Sequence, residues 1–205
     1  EEEAETLKWM IDCIQEVSDL PISVDSPSAE VLAQVFPYCK RPGLINSVSG
    51  EGNKMDVLFP LIADTKWEVI CLLSDDTGIP KCAADRLRVF DNIMAKAKEY
   101  GISPDRMHID PLVEMLCTSE DGIAMNVEVI STIREKYPDK TIWLYTGYTW
   151  EEIKDLEIVR YLDILVDGKF DLATRDVSLK WKGSPNQKVI DVPKTLELGL
   201  VVLHA

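Results

Sequence analysis

"LPISVDSPSAEVLAQVFPYCKRPGLINSVSGE", residues 20–51, places two short apolar runs, "PISVDS" and "PGLINSVSG", on either side of "SAEVLAQVF", whose apolar residues recur at helical spacing. Ser26 and Pro27 read as the N-cap and first helical residue of the middle segment. Strand, helix and strand in close succession form one βαβ unit. The first strand run ends at Asp25, and the second carries Asn46 in "LINS".

The same pattern extends outward. Upstream, Leu7, Ile11, Ile14 and Val17 mark a helix. Downstream, "KMDVLFPLIAD", "AADRLRVFDNIMAKAKEYG", "GIAMNVEVISTIREKY" and "WEEIKDLEIVRYL" read as helices, the last opened by Thr149 and Glu152 in a capping-box pattern. Between them lie strand-like runs, giving in order "PISVDS", "LINS", "EVICLL", "MHIDP", "TIWLYT" and "DILVDG". Regular alternation of this kind predicts an α/β fold with a parallel sheet, a partial or TIM-like (β/α) barrel of about six βα units. An open doubly wound sheet is the runner-up, without the GxGxxG that marks many such folds. After residue 170 the pattern gives way to short apolar runs split by Gly and Pro, read as an irregular C-terminal β tail. Such a tail is expected to cover an edge strand, with a homodimer through that edge as the alternative.

A 205-residue chain that is 46% hydrophobic has enough apolar material for a sizeable core. Its formal charge of −14 argues against nucleic acid or an anionic membrane as partner, since phosphate would be repelled. The five cysteines, Cys13, Cys39, Cys71, Cys82 and Cys117, show no CxxC pairing, which fits reduced thiols in the cytoplasm. No apolar run of about 18 residues and no basic-plus-apolar leader is present, so neither a membrane span nor export is expected. The opening at Glu1 without an initiator Met reads as a piece of a longer protein.

In parallel α/β folds the chemistry sits at the C-terminal ends of the strands. Those ends carry Asp25, Asn46, Asp75 and Asp76 in "LLSDDTGIPK", and Asp110 in "HIDP". Asp and Asn are also ordinary caps and turn formers, so any one alone is weak evidence. Several on one rim suit a ligand with multiple N–H donors along one edge, such as a 2-amino-4-oxo-pterin: carboxylates accept from them, and an amide both donates and accepts. A metal site is the competing reading, set aside because no single loop supplies several ligands. His108, two residues before Asp110, shares its face and is expected to be a satisfied interior residue rather than a pocket wall.

Residues 1–139 resemble the methyltetrahydrofolate:corrinoid methyltransferases of the pterin-binding TIM-barrel superfamily through the opening stretch, "DDTGIPK" and "HIDPLV" in that order. The resemblance implies that Asp25, Asn46 and Asp110 contact a pterin, with Asp75 and Asp76 in a loop beside the folate. It implies methyltetrahydrofolate as substrate and a separate corrinoid protein as partner, the N5-methyl passing to cob(I)alamin once N5 is protonated or hydrogen-bonded. It also implies two strands ahead of Glu1 and a seventh strand ending in an Asn near N5. That slot holds "TIWLYTGY", where Tyr145 or Thr146 offers only a hydroxyl.

Residues 140–205 are similar to the C-terminal portion of anaerobic ribonucleoside-triphosphate reductase activating proteins, radical S-adenosylmethionine enzymes, through "LYTGYTWEE", "VDGKF" and "GSPNQKVIDV". The CxxxCxxC loop of those enzymes is absent, so no iron–sulfur cluster and no radical chemistry are expected. Together the resemblances imply a chimera of 1–139 and 140–205 packed as one domain, joined near "REKYPDK". The expected function is pterin binding without turnover, no residue being assigned as catalytic; methyl transfer to a corrinoid protein is the alternative.

Overall fold

The computed structural model describes residues 2–113 and 122–204. The chain divides into two compact units, Glu1–Val113 and Glu114–Ala205.

The first unit runs α1 (Glu2–Val17), β1 (Ser23–Asp25), α2 (Ala29–Val35), β2 (Leu44–Gly50), α3 (Lys54–Ile62), β3 (Glu68–Asp75), α4 (Ala83–Glu99) and β4 (Met107–Asp110). Its strands form one parallel sheet in chain order, β1-β2-β3-β4. Each crossover from β1 to β4 contains a helix, as parallel neighbours require. Val24, Ile45, Val69, Cys71 and Leu73 project at alternate positions and are all buried, on the side where α2, α3 and α4 pack. Leu32, Val35, Leu58, Phe59, Ile62, Phe90 and Ile93 supply the helical half of that core, each stabilising by about 1.5–3 kcal/mol.

Two local features depart from expectation. Ser28, not Ser26, caps α2: its backbone is extended and its hydroxyl accepts from the Val31 N–H at 3.2 Å. Ser26 turns instead to α1, donating to Glu3 Oε1 at 2.6 Å. Strand β2 runs to Gly50 as "PGLINSVSG" predicts, but through register shifts after Asn46 and after Ser49, so Asn46 lies within the strand rather than at its tip. Gly50 permits this close approach, because a Cβ there would stand 2.9 Å from the Ser74 carbonyl oxygen.

The second unit runs α5 (Gly122–Lys136), β5 (Trp143–Tyr145), α6 (Trp150–Ile153), β6 (Ile164–Asp167), β7 (Lys188–Asp191) and α7 (Val192–Leu198). Its sheet has the order β5-β6-β7, β5 parallel and β7 antiparallel to β6. All six predicted strand runs are present, four in the first sheet and two in the second. The tail does cover an edge, since β7 pairs along β6. It is more regular than expected, because α7 follows, capped by Asp191 Oδ1 on the Lys194 N–H and ended by Gly199 at φ 67°. Val127 and Ile130 of α5 share a core with Trp150, Ile153, Val159, Leu162, Leu165 and Ile190. Among the described residues no helix is long and apolar enough to cross a membrane.

Candidate functional site

The face of the first sheet turned away from α2, α3 and α4 carries Asp25, Asn46, Ile70, Leu72, His108 and Asp110, by strand alternation and register. Asp25 pairs directly with Asn46, and Asn46 with Ile70. Asp110 lies opposite Leu72, two strands from Asn46 and two residues further along. Strand spacing and rise put Asn46 and Asp110 about 12 Å apart at Cα. Between them Ile70 and Leu72 form a half-buried apolar floor. The arrangement is a flat apolar patch with polar groups at two sides, suited to a planar ring with polar edges. Asp25 and Asp110 are exposed and Asn46 is half-buried.

Asp110 is oriented by its own turn: Oδ1 accepts the Leu112 N–H at 2.8 Å. Asp75 and Asp76 are committed to their loop. Asp75 Oδ1 accepts from the Thr77 hydroxyl at 2.6 Å and the Thr77 N–H at 2.9 Å, and Oδ2 pairs with Arg88 at 3.0 Å. These contacts, Thr77 foremost, hold the Asp75 carboxyl below the usual carboxylate range. Asp76 Oδ1 accepts the Gly52 N–H at 2.7 Å, tying the loop after β3 to the loop after β2.

His108 shares the face of Asp110 as alternation predicts, but it is no satisfied interior residue. It is more than half exposed and its Nε2 lies 2.6 Å from Glu68 Oε2. Glu68, two positions before Ile70 on the same face, draws the imidazole across the open surface.

A polar cluster not expected from the sequence lies at the ends of β2 and β3. Ser74 Oγ donates to Glu51 Oε1 at 2.9 Å, and Lys54 Nζ lies 2.7 Å from Glu51 Oε2. The Lys54 ammonium, helped by Ser74 and Ser49, holds the Glu51 carboxyl below its ordinary range. The signal was available, since "SGE" follows the strand run directly.

In the second unit the quoted motifs build an internal lock. Asp167 of "VDGKF" is buried; its Oδ2 accepts the Trp150 N–H and its Oδ1 the Lys188 N–H, both at 2.9 Å. Gln187 of "GSPNQKVIDV" accepts from the Gly183 N–H at 3.0 Å through Oε1 and donates to the Gly168 carbonyl at 3.1 Å through Nε2. Tyr145 ends β5 and is exposed, while Thr146 Oγ1 accepts the Tyr148 N–H at 3.1 Å, a turn-forming bond. Among the described residues no group of three or more His, Cys, Asp and Glu side chains converges as a metal site would need.

Residues 1–143 match a family described as pterin binding enzyme. The chain belongs to the pterin-binding enzyme family. A methylcorrinoid:tetrahydrofolate methyltransferase of Eubacterium limosum is 46% identical over 139 residues, 67% of this chain and 51% of that protein. The chain thus spans about half the length of that relative of the pterin-binding family.

Residues 118–190 match a second family, the 4Fe-4S single cluster domain. Anaerobic ribonucleoside-triphosphate reductase-activating proteins of Enterobacteria phage T4 and Vibrio cholerae serotype O1 are 41% and 42% identical over 63 and 65 residues. Those alignments take in 30% and 31% of this chain and 38% and 42% of the relatives. The chain therefore joins two segments with different relatives, and the two family matches overlap at 118–143, which includes α5.

The second match corrects the expectation of no iron–sulfur cluster, because the C-terminal part is related to a family described by such a cluster. The residues of the matched span do not fit the group as ligands. Residues 118–190 contain no cysteine and no histidine, and the nearest thiol in sequence is that of Cys117.

Proposed function

We propose that the first unit binds the pterin ring of a tetrahydrofolate on the open face of its sheet, with Asp25 and Asn46 at one side and Asp110 at the other. The observation that carries this reading is the register, which sets the three side chains on one face around the Ile70 and Leu72 floor. A carboxylate there accepts from the exocyclic amine and ring N–H groups, and the Asn46 amide pairs with a donor and an acceptor on one edge. Asp75 and Asp76 act by shaping the adjoining folate loop. The parallel order of four strands with helices on one side supports reading this sheet as an arc of a (β/α) barrel.

The chain is a chimera whose change of ancestry falls at 139/140, and it binds pterin without turning it over. In support, the strand run "TIWLYT", which comes in chain order where the resemblance implies a strand ending in an Asn, ends in Tyr145 and Thr146, and the Thr146 hydroxyl is engaged in its own turn. Four free thiols among the described residues suit a reducing cytoplasm. A second reading, methyl transfer between tetrahydrofolate and a corrinoid protein partner, is favoured by the name of the Eubacterium limosum relative. A methyl-transfer assay with methyltetrahydrofolate and cob(I)alamin, run beside a binding titration, separates them. Binding without methylcobalamin formation supports the first reading. Methylcobalamin formation establishes the second, and absence of binding removes both.

A further inference from the structure

The geometry points to Arg86 as the residue that positions Asp110, an inference that rests on the pterin reading above. Arg86 stands in the first turn of α4 with its side chain fully buried. Its Nε donates to the Pro80 carbonyl at 3.0 Å, and its Nη1 donates to the carbonyls of Pro111 and, at 2.8 Å, Leu112. Pro80 closes the "DDTGIPK" loop after β3, while Pro111 and Leu112 directly follow Asp110 at the end of β4. One planar cation therefore grips both strand-end loops of the site.

Leu112 holds φ at 60°, in the left-handed region that a leucine seldom adopts. Both of its backbone polar groups are engaged there: its N–H donates to Asp110 Oδ1 at 2.8 Å and its carbonyl accepts from Arg86. The orientation of the Asp110 carboxylate thus depends on a strained backbone that Arg86 keeps in place. A buried guanidinium carries a heavy desolvation penalty unless its donors are satisfied, so Arg86 favours the state in which both loops present their carbonyls. Lysine cannot take this part, because a single ammonium on a flexible stem lacks the fixed fork that reaches two loops at once.

The test compares the wild-type chain with Arg86→Lys, and with Arg86→Met as a second variant that fills the same space without charge should lysine prevent folding. Two quantities are read: amide exchange at Leu112 and affinity for tetrahydrofolate. In the folded variant, with β3 amides still protected, exchange at Leu112 is expected to accelerate and affinity to fall, each by roughly tenfold or more. The affinity loss is expected to vanish in an Asp110→Asn background, because it acts through that carboxylate. Unchanged exchange at Leu112, or losses that multiply in the double variant, would overturn the assignment. Absence of tetrahydrofolate binding in the wild type counts against the pterin reading alone, and Leu112 exchange then still decides whether Arg86 fixes the Asp110 turn.

Discussion

The Arg134 guanidinium and the Asp163 carboxylate lie 2.5 Å apart, and the same Asp163 oxygen accepts the Ile142 N–H at 2.7 Å. Arg134 sits on α5, in the stretch matched by both families, whereas Asp163 lies in the part matched by the 4Fe-4S single cluster domain family alone. Arg134 also donates to the Tyr161 carbonyl at 3.1 Å. One arginine and one aspartate thus fasten the helix-to-strand joint, with Val127 and Ile130 adding apolar contact to the same core.

Replacing Asp163 with Ala removes two bonds to that carboxylate, and it is expected to lower the stability of the second unit by about 2–4 kcal/mol. Arg134→Met should cost less, and the double variant less than the sum, because both changes delete one shared contact. Urea denaturation of the three proteins measures this; strict additivity would show that the pair does not couple the two segments.

Asp167 is a second anchor, buried and serving two elements at once, the start of α6 and the start of β7. Asp167→Ala leaves the Trp150 and Lys188 N–H groups without their acceptor and should destabilise by about 2–4 kcal/mol, with Asp167→Asn intermediate. Thermal unfolding followed by tryptophan fluorescence reports it, since Trp150 belongs to that core.

Glu51 supplies a pH signature. Its carboxyl is held below the ordinary value of 4.5, first by Lys54 and then by Ser74. A depressed folded value means that the stabilisation is complete above about pH 4.5 and is lost as pH falls through the lower folded value. Glu51→Gln is therefore expected to be less stable than wild type at pH 7, with the two curves converging in strong acid. A constant gap across the whole range would contradict this.

The thiols should divide sharply. Burial pushes the Cys71 thiol up to about 12, while Cys13 and Cys82 are exposed. Iodoacetamide at mildly alkaline pH is expected to label Cys13 and Cys82 in the native protein and Cys71 only on unfolding, as mass spectrometry of the peptides will show.

Much of the fold was legible because parallel strands with covered faces leave short apolar runs between helical periods; "EVICLLSD" and "DILVDG" could hardly be read otherwise. That His108 shares the face of Asp110 followed from the two-residue period, whereas the alignment of Asp25 and Asn46 with them comes from the strand register. What stayed hidden depends on register and tertiary contact. The shifts in β2 put Asn46 inside a strand, and Glu68 drew His108 into an exposed pair. Arg86 looked like any charged residue on an amphipathic helix, since nothing local marks an arginine whose partners lie 6 and 25–26 residues away. The helix α7 escaped because seven residues are too few for a periodic pattern, although Asp191 and Gly199 stood at its ends.

The central claim is that Asp110 and its neighbours hold a pterin. Calorimetric titration of methyltetrahydrofolate into the wild type and into Asp110→Ala tests it most directly. Saturable heat in the wild type that is lost in the variant, with both proteins equally folded, is the predicted result. No heat with the wild type, or equal binding by both, would contradict it.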